Sequence, residues 1–242
     1  MAVYNVNGER IDANGANGSF STNPLYSDNT VISVAHKGLA SVATGNTKPA
    51  FVGAHNAGFK YVETDIKPTT DDILVISHDA VDTTYAEWYA VDNNRMTLEE
   101  FLKLCKDLQL FPYLEFKSAT NSVVDRTMEL VEKYGMKECV TYISQQKTSL
   151  SRVVSANPKA RVGVIGTNPS DASDLQTGYN LPFLDISYGL ITDSIVNSCK
   201  SLGVPLEAFT LVQDAHYTGL NPYVTGVTVY SRKYEDVVGA QY

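Results

Sequence analysis

The chain has 242 residues, is 43% hydrophobic and 19% charged, and carries a formal net charge of −8. That length can bury a real core, either as one large α/β domain or as two small ones. The acidic balance argues against a duplex-DNA or other nucleic-acid partner, which calls for a basic face, but it leaves room for an anionic substrate met by a local cation or a metal.

Residues 1–30 are rich in Asn, Gly and Ser (NVNGERIDANGANGSFSTN) and read as an irregular arm with one short strand in VYNV. The start lacks the basic-then-apolar layout of a signal peptide. A cytoplasmic location is therefore the default expectation, with a virion or another export route left open. From Val31 onward short β-rich runs alternate with helical stretches. VISVAH reads as a strand, TKPAFVGAHNAG as a helix closed by Gly58, and KYVETDI and ILVISH as the next strand-like runs. TTYAEWYAVD reads as a loop whose Tyr85, Trp88 and Tyr89 either pack or line a pocket.

TLEEFLKLCKDL is the clearest helix, with Thr97 as N-cap and Glu100 at the third helical position, followed by Leu98, Phe101, Leu102 and Cys105 at helical spacing. FPYLEF (strand), SVVDRTMELVEKYG (helix), ECVTYIS (strand) and KTSLSRVVSAN (helix) follow. RVGVIG, LPFLDIS, TDSIVNSCKSLG, VPLEAFTLV and TGVTVYS complete the series. Treating ILVISH as an excursion leaves eight principal strands alternating with helices, the pattern and size of a single-domain (β/α)8 TIM barrel over residues 31–242. Cys105, Cys139 and Cys199 are few and widely spaced, as buried thiols are. No run approaches the eighteen apolar residues of a transmembrane segment.

In such a barrel, chemistry collects at the C-terminal ends of the strands. Those ends carry His36-Lys37, Glu63 and Asp65, His78-Asp79, and Glu115 and Lys117. Glu63 and Asp65 share one face of their strand, as do Glu115 and Lys117. Two carboxylates ~4 Å apart at an effective dielectric near 20 repel by about 4 kcal/mol, so a cation between them is expected. Each residue alone has a bland reading as a packed histidine, an exposed acid pair, an ion pair or a turn. Together, on four adjacent runs, they suit phosphoryl transfer from a diester. Three carboxylates favour Mg²⁺ or Ca²⁺ over zinc. Two histidines can serve as acid and base, while Lys37 and Lys117 hold the non-bridging oxygens.

These residues, in this order, resemble the glycerophosphodiester phosphodiesterase family. The likeness runs from AHKGLASVATGNTKPAF through GFKYVETDIKPTTDDILVISHD to YLEFK, with a weaker echo in LPFLDISYGLITDSIVNSCKSLGVPLEAFTLV. The resemblance implies a TIM barrel that uses a divalent metal to hydrolyse glycerophosphodiesters to glycerol 3-phosphate and an alcohol. On it, His36 and His78 fall on the catalytic pair, and Glu63, Asp65 and Glu115 on the metal ligands. Lys117 falls on the phosphate-binding lysine, and Asn46 on the Asn of the usual Pro-Glu-Asn-Thr segment. The implied mechanism is attack by the glycerol 2-hydroxyl with one His as base, protonation of the leaving alkoxide by the other, and opening of the cyclic phosphate by water. His36 is assigned as the acid and His78 as the base, an order that a sequence leaves open.

The chain departs from the family where Lys37 replaces an Arg, Gly45 replaces a Glu, Ala208 or Phe209 stands near a customary Trp, and TGVTVYSRK replaces a Thr-Asp ending. The substrate is expected to be a small phosphodiester or a glycerophosphate polymer. Two alternatives remain. One is a non-catalytic module that binds a glycerophosphate polymer within a phage or cell-surface assembly. The other is a phospholipase D-like enzyme that releases a cyclic phosphate. His55 is set aside as a helix-end partner, and His216 is placed on a loop that could touch substrate.

Overall fold

The computed structural model describes residues 31–117 and 119–238. The expected N-terminal arm and its VYNV strand lie outside them. Nine strands run in the order β1 (Ile32–Ala35), β2 (Tyr61–Pro68), β3 (Leu74–Ile76), β4 (Phe111–Phe116), β5 (Thr141–Ser144), β6 (Arg161–Ile165), β7 (Phe183–Ser187), β8 (Leu206–Leu211) and β9 (Val224–Val229). Eight of them pair in parallel in the order β1-β9-β8-β7-β6-β5-β4-β2, and β1 also pairs with β2, which closes the ring. β3 folds back antiparallel onto β2, with Ile66 opposite Ile76 and Pro68 opposite Leu74. The fold is the expected (β/α)8 barrel, with ILVISH as its excursion.

Helices cover the outside of the ring. They are α1 (Lys48–Asn56), α2 (Tyr85–Val91), α3 (Leu98–Leu108), α4 (Asn121–Lys133), α5 (Lys147–Ala156), α6 (Pro169–Ser173), α7 (Asp193–Leu202), α8 (Asp214–Thr218) and α9 (Tyr234–Val238). Helix α3 carries the expected capping box. The Thr97 side chain accepts from the Glu100 N–H, and Glu100 accepts in return from the Thr97 N–H at 2.8 Å. Its apolar stripe of Leu98, Phe101, Leu102 and Cys105 is buried in the main core between helices and strands. None of the described helices is long and apolar enough to cross a membrane, and all three cysteines are buried free thiols.

Residues 85–91 form a helix where a loop was expected. Thr84 and Glu87 build a second capping box. Trp88 is buried on Val75 and Val81 with Arg95 over its ring, and Tyr85 stacks beside Tyr89 at 5.6 Å. The Trp88 indole thus serves packing.

Inside the ring lies a smaller cluster of Ile32, Val34, Tyr113, Ile143 and Phe183. Arg161 lies over the rings of Phe183 (4.3 Å) and Tyr113 (5.1 Å), donates to the Tyr113 hydroxyl at 2.6 Å and forms an ion pair with Glu207. Gly163 and Gly226 leave the room these groups need. A Cβ at 163 would run into the Phe183 ring, and one at 226 would come 2.7 Å from the Glu207 carboxyl carbon. This packed layer, with the Arg161–Glu207 pair inside it, fills the barrel interior.

Candidate active site at the C-terminal end of the barrel

Parallel strands present residues two apart to the same side, so β2 sends Glu63 and Asp65 inward and β4 sends Glu115 inward beside Asp65, its register partner. One carboxylate oxygen from each of the three lies within 4.8 Å of the other two, and all three residues are buried. At that separation each pair of charges repels by roughly 3.5 kcal/mol at an effective dielectric near 20. Burial, then repulsion from Asp65 and Glu115, pushes the Glu63 carboxyl well above the ordinary range. Burial and Asp65 raise Glu115 in the same way, against the pull of Lys117.

Lys117 compensates part of this. Its ammonium lies 3.0 Å from Glu115 Oε1 and 3.3 Å from Asp65 Oδ1. Burial opposes its charge, but Glu115 and Asp65 outweigh that and raise its pKa. The compensation is incomplete, because Asp65 Oδ1 is buried without any hydrogen bond. A buried acceptor left unmade, among acids that repel, is what a set of cation ligands looks like without its ion. All the donors are carboxylate oxygens, which suit a hard divalent cation, so the residues fit the group that the sequence implies.

The segment between β1 and α1 holds the cluster from above. The Lys37 N–H donates to Glu63 Oε2 at 3.0 Å. Asn46 donates from Nδ2 to Asp65 Oδ2 at 3.0 Å and accepts from the Thr64 hydroxyl at 2.8 Å, so it spans both faces of β2. Lys37 and Asn46 both sit in the left-handed region, at φ 55° and 60°, and the Asn46 N–H donates to the Lys37 carbonyl at 2.9 Å. Non-glycine residues held there cost free energy and cluster at sites where geometry matters. Gly38 (φ 74°) is required next to them, since a Cβ would come 2.7 Å from the Ala50 carbonyl carbon. The glycine at 45 has a similar cause. A Cβ there would stand 2.9 Å from the Lys37 Cβ, so the Lys37 side chain occupies the space a larger residue would need.

The two histidines differ. His36 Nε2 is 3.8 Å from Glu63 Oε2, and burial, reinforced by Lys37 and Lys117, pushes its imidazole down to about 4. His78 is half-exposed, and its Nδ1 lies 2.8 Å from Asp79 Oδ1. That contact draws Asp79 below the usual carboxylate range, and the charge of His78 acts on His36 as well. All eight residues expected from the sequence therefore lie at this end of the barrel, and the three acids, Lys37, Asn46 and Lys117 are joined by direct contacts.

Three participants had no role assigned from the sequence. Asp79 orients His78, Thr64 orients Asn46, and Lys67 donates to the Lys117 carbonyl at 2.9 Å. For Asp79 the signal was its adjacency to His78. Outside this group, His55 lies in the last turn of α1, as expected. His216 falls in α8, where its ring stacks on Tyr188 at 4.6 Å and its Nδ1 accepts from the Val212 N–H.

Comparisons with known proteins converge on one family. Residues 36–115, which contain both histidines and all three acids, match the glycerophosphoryl diester phosphodiesterase family. A Mycobacterium tuberculosis protein named probable glycerophosphodiester phosphodiesterase 2 is 30% identical over 121 residues, covering 42% of this chain and 44% of that protein. The match thus spans under half of that relative's length. A Caldanaerobacter subterraneus glycerophosphodiester phosphodiesterase is 26% identical over 209 residues, covering 74% of this chain and 84% of its own. The same barrel occurs in an Oleispira antarctica phosphodiesterase solved in complex with the product sn-glycerol-3-phosphate, at a TM-score of 0.74, 19% identity and coverage of 86% and 96% of the two chains. The family match over residues 36–115, the named relatives and the shared barrel all point to the glycerophosphoryl diester phosphodiesterase family.

Proposed function

We propose that this protein is a metal-dependent phosphodiesterase that hydrolyses glycerophosphodiesters to glycerol 3-phosphate and an alcohol. The observation that carries the reading is the buried triad of Glu63, Asp65 and Glu115, whose oxygens lie within 4.8 Å of one another with His36 and Lys117 against them. The names of the relatives point to the same substrate class. Glu63, Asp65 and Glu115 would hold one Mg²⁺ or Ca²⁺. When bound, such an ion neutralises phosphate charge and acidifies a nearby hydroxyl.

The chain's own groups do the rest. Lys117 and Lys37 bring ammonium groups to the non-bridging phosphate oxygens, where charge develops in the transition state. Asn46 fixes the orientation of Asp65, and the Lys37 N–H that of Glu63. The contrast between the histidines favours the reverse of the order assigned from sequence. His36, held neutral at neutral pH, is suited to accept the proton of the attacking hydroxyl. His78, backed by the Asp79 carboxylate, is suited to carry a proton to the leaving alkoxide.

The test is ³¹P NMR of glycerophosphocholine incubated with the protein in EDTA, then in excess Mg²⁺ or Ca²⁺. The expected result is no change in EDTA and conversion to the glycerol 3-phosphate resonance with metal. Accumulation of a cyclic phosphate as end product would move the protein to the phospholipase D-like alternative. An unchanged diester under either metal would sink the enzymatic reading.

A further inference from the structure

The inner face of the barrel carries one more carboxyl that neither the metal triad nor the packed layer uses. Tyr113 on β4 and Phe183 on β7 meet edge-on inside the ring, 6.3 Å apart, and so mark one level of the interior. Two residues further along these parallel strands, the next level up holds Glu115 on β4 and Asp185 on β7. One step above that, Lys117 and Ser187 reach the rim. Asp185 is the register partner of Glu207 on β8, and the charge of Glu207 and then that of Glu115 in the triad act on it.

Asp185 is only 4% exposed, yet its side chain makes no hydrogen bond or ion pair with any described residue. The neighbouring cation, Arg161, pairs with Glu207 and with the Tyr113 hydroxyl, and its charge also acts on Asp185. A carboxyl held nearly out of solvent, on the level of the acid triad, can take a ligand atom. A second metal is not that ligand, because among the described residues only Glu63, Asp65 and Glu115 bring three donor atoms together. A cationic headgroup would need open access to this depth, which lies one level below the rim. A hydroxyl fits. It is small and neutral, and it can donate to a carboxylate or accept from a carboxylic acid, so the contact forms in either protonation state.

We propose that Asp185 is a specificity-determining residue that binds the glycerol primary hydroxyl remote from phosphorus, and so selects a glycerol over a simpler diol. This inference rests on the reading of function above. It places the glycerol unit deep in the barrel, between the triad and β7, and the alcohol leaving group at the rim.

The experiment compares glycerophosphocholine with its analogue built on propane-1,2-diol, which keeps the attacking hydroxyl and lacks the remote one. Both are offered to the wild type, Asp185→Leu and Asp185→Asn in saturating Mg²⁺. A site built around a hydrogen bond rejects the ligand that lacks it. The wild type is expected to lose at least tenfold in kcat/KM on the analogue. Asp185→Leu should lose at least tenfold on glycerophosphocholine, mostly in KM, and less than threefold on the analogue. Asp185→Asn, which still hydrogen-bonds, should stay within about threefold of wild type on both. Should Asp185→Leu fail to fold, Asp185→Ala carries the same comparison. Equal losses on both substrates, or no loss on either, would overturn this inference alone. Wild-type inactivity on both substrates would overturn it together with the reading of function.

Discussion

Removing one acid from the triad should stabilise the metal-free protein while abolishing its response to metal. The variant is Glu63→Gln, which keeps the shape and leaves an oxygen to accept the Lys37 N–H. Lys117 sits against Glu115 and Asp65, so those two charges are partly offset. Among the described residues Glu63 forms no ion pair with a lysine or arginine, and at 4.8 Å or less it meets roughly 3.5 kcal/mol of repulsion from each of the other two at an effective dielectric near 20. Uptake of a proton, which the raised Glu63 pKa signals, caps that penalty. We expect the amide to gain about 1–2 kcal/mol at pH 8, which for a chain of this size raises Tm by about 2–8 °C. The wild type should respond to metal in the opposite way. An ion at a hundred times its Kd adds about 2.7 kcal/mol, or roughly 5–11 °C, and Glu63→Gln should lose most of that shift. Thermal melts in EDTA and in 10 mM Mg²⁺ or Ca²⁺ measure both. A variant less stable than wild type in EDTA, with its metal shift intact, would refute the reasoning.

Further outcomes follow from the same geometry. Because burial and mutual repulsion raise Glu63 and Glu115, the metal-free folded state holds protons that the unfolded chain releases above a pH of about 4.3. Metal-free stability should therefore fall as pH rises from that point, and the metal-induced Tm shift should be larger at pH 8 than at pH 5. A shift independent of pH would contradict this. His36→Ala and His78→Ala should each lose at least ~10²-fold in rate on glycerophosphocholine while keeping the metal-induced Tm shift. With a p-nitrophenyl leaving group, His78→Ala should recover most of its loss and His36→Ala should not. The converse pattern would restore the order assigned from the sequence. In the packed layer, Gly163→Ala should destabilise by about 1–3 kcal/mol, because its methyl meets the Phe183 ring in an interior already filled by Arg161. An unchanged denaturant midpoint would show that the ring can yield.

What could be read from the sequence was what strands and caps encode locally. Alternation placed Glu63 and Asp65 on one face and Glu115 with Lys117 on another, and the count of strand-helix units implied closure. The same Thr-x-x-Glu signature that marked α3 at Thr97 also stands at Thr84-x-x-Glu87. The helix after Thr84 has only seven residues, too few for an apolar period to emerge, so it read as a loop. The backbone at Lys37 and Asn46 was hidden for a different reason. Left-handed conformations are signalled by glycine, and here a lysine and an asparagine adopt them under tertiary constraint. LPFLDIS read as one strand of the series, but what Asp185 would face depended on register with strands drawn from 20 to 70 residues away, which no local pattern carries.

The most direct test of the central claim is anomalous diffraction from crystals grown with Mn²⁺, a divalent ion that takes the same oxygen donors. The account predicts one strong peak, bonded at about 2.0–2.6 Å to Glu63, Asp65 and Glu115, with Lys117 moved off the site. A peak elsewhere, or none among these three carboxylates while Lys117 still bridges Asp65 and Glu115, would contradict it.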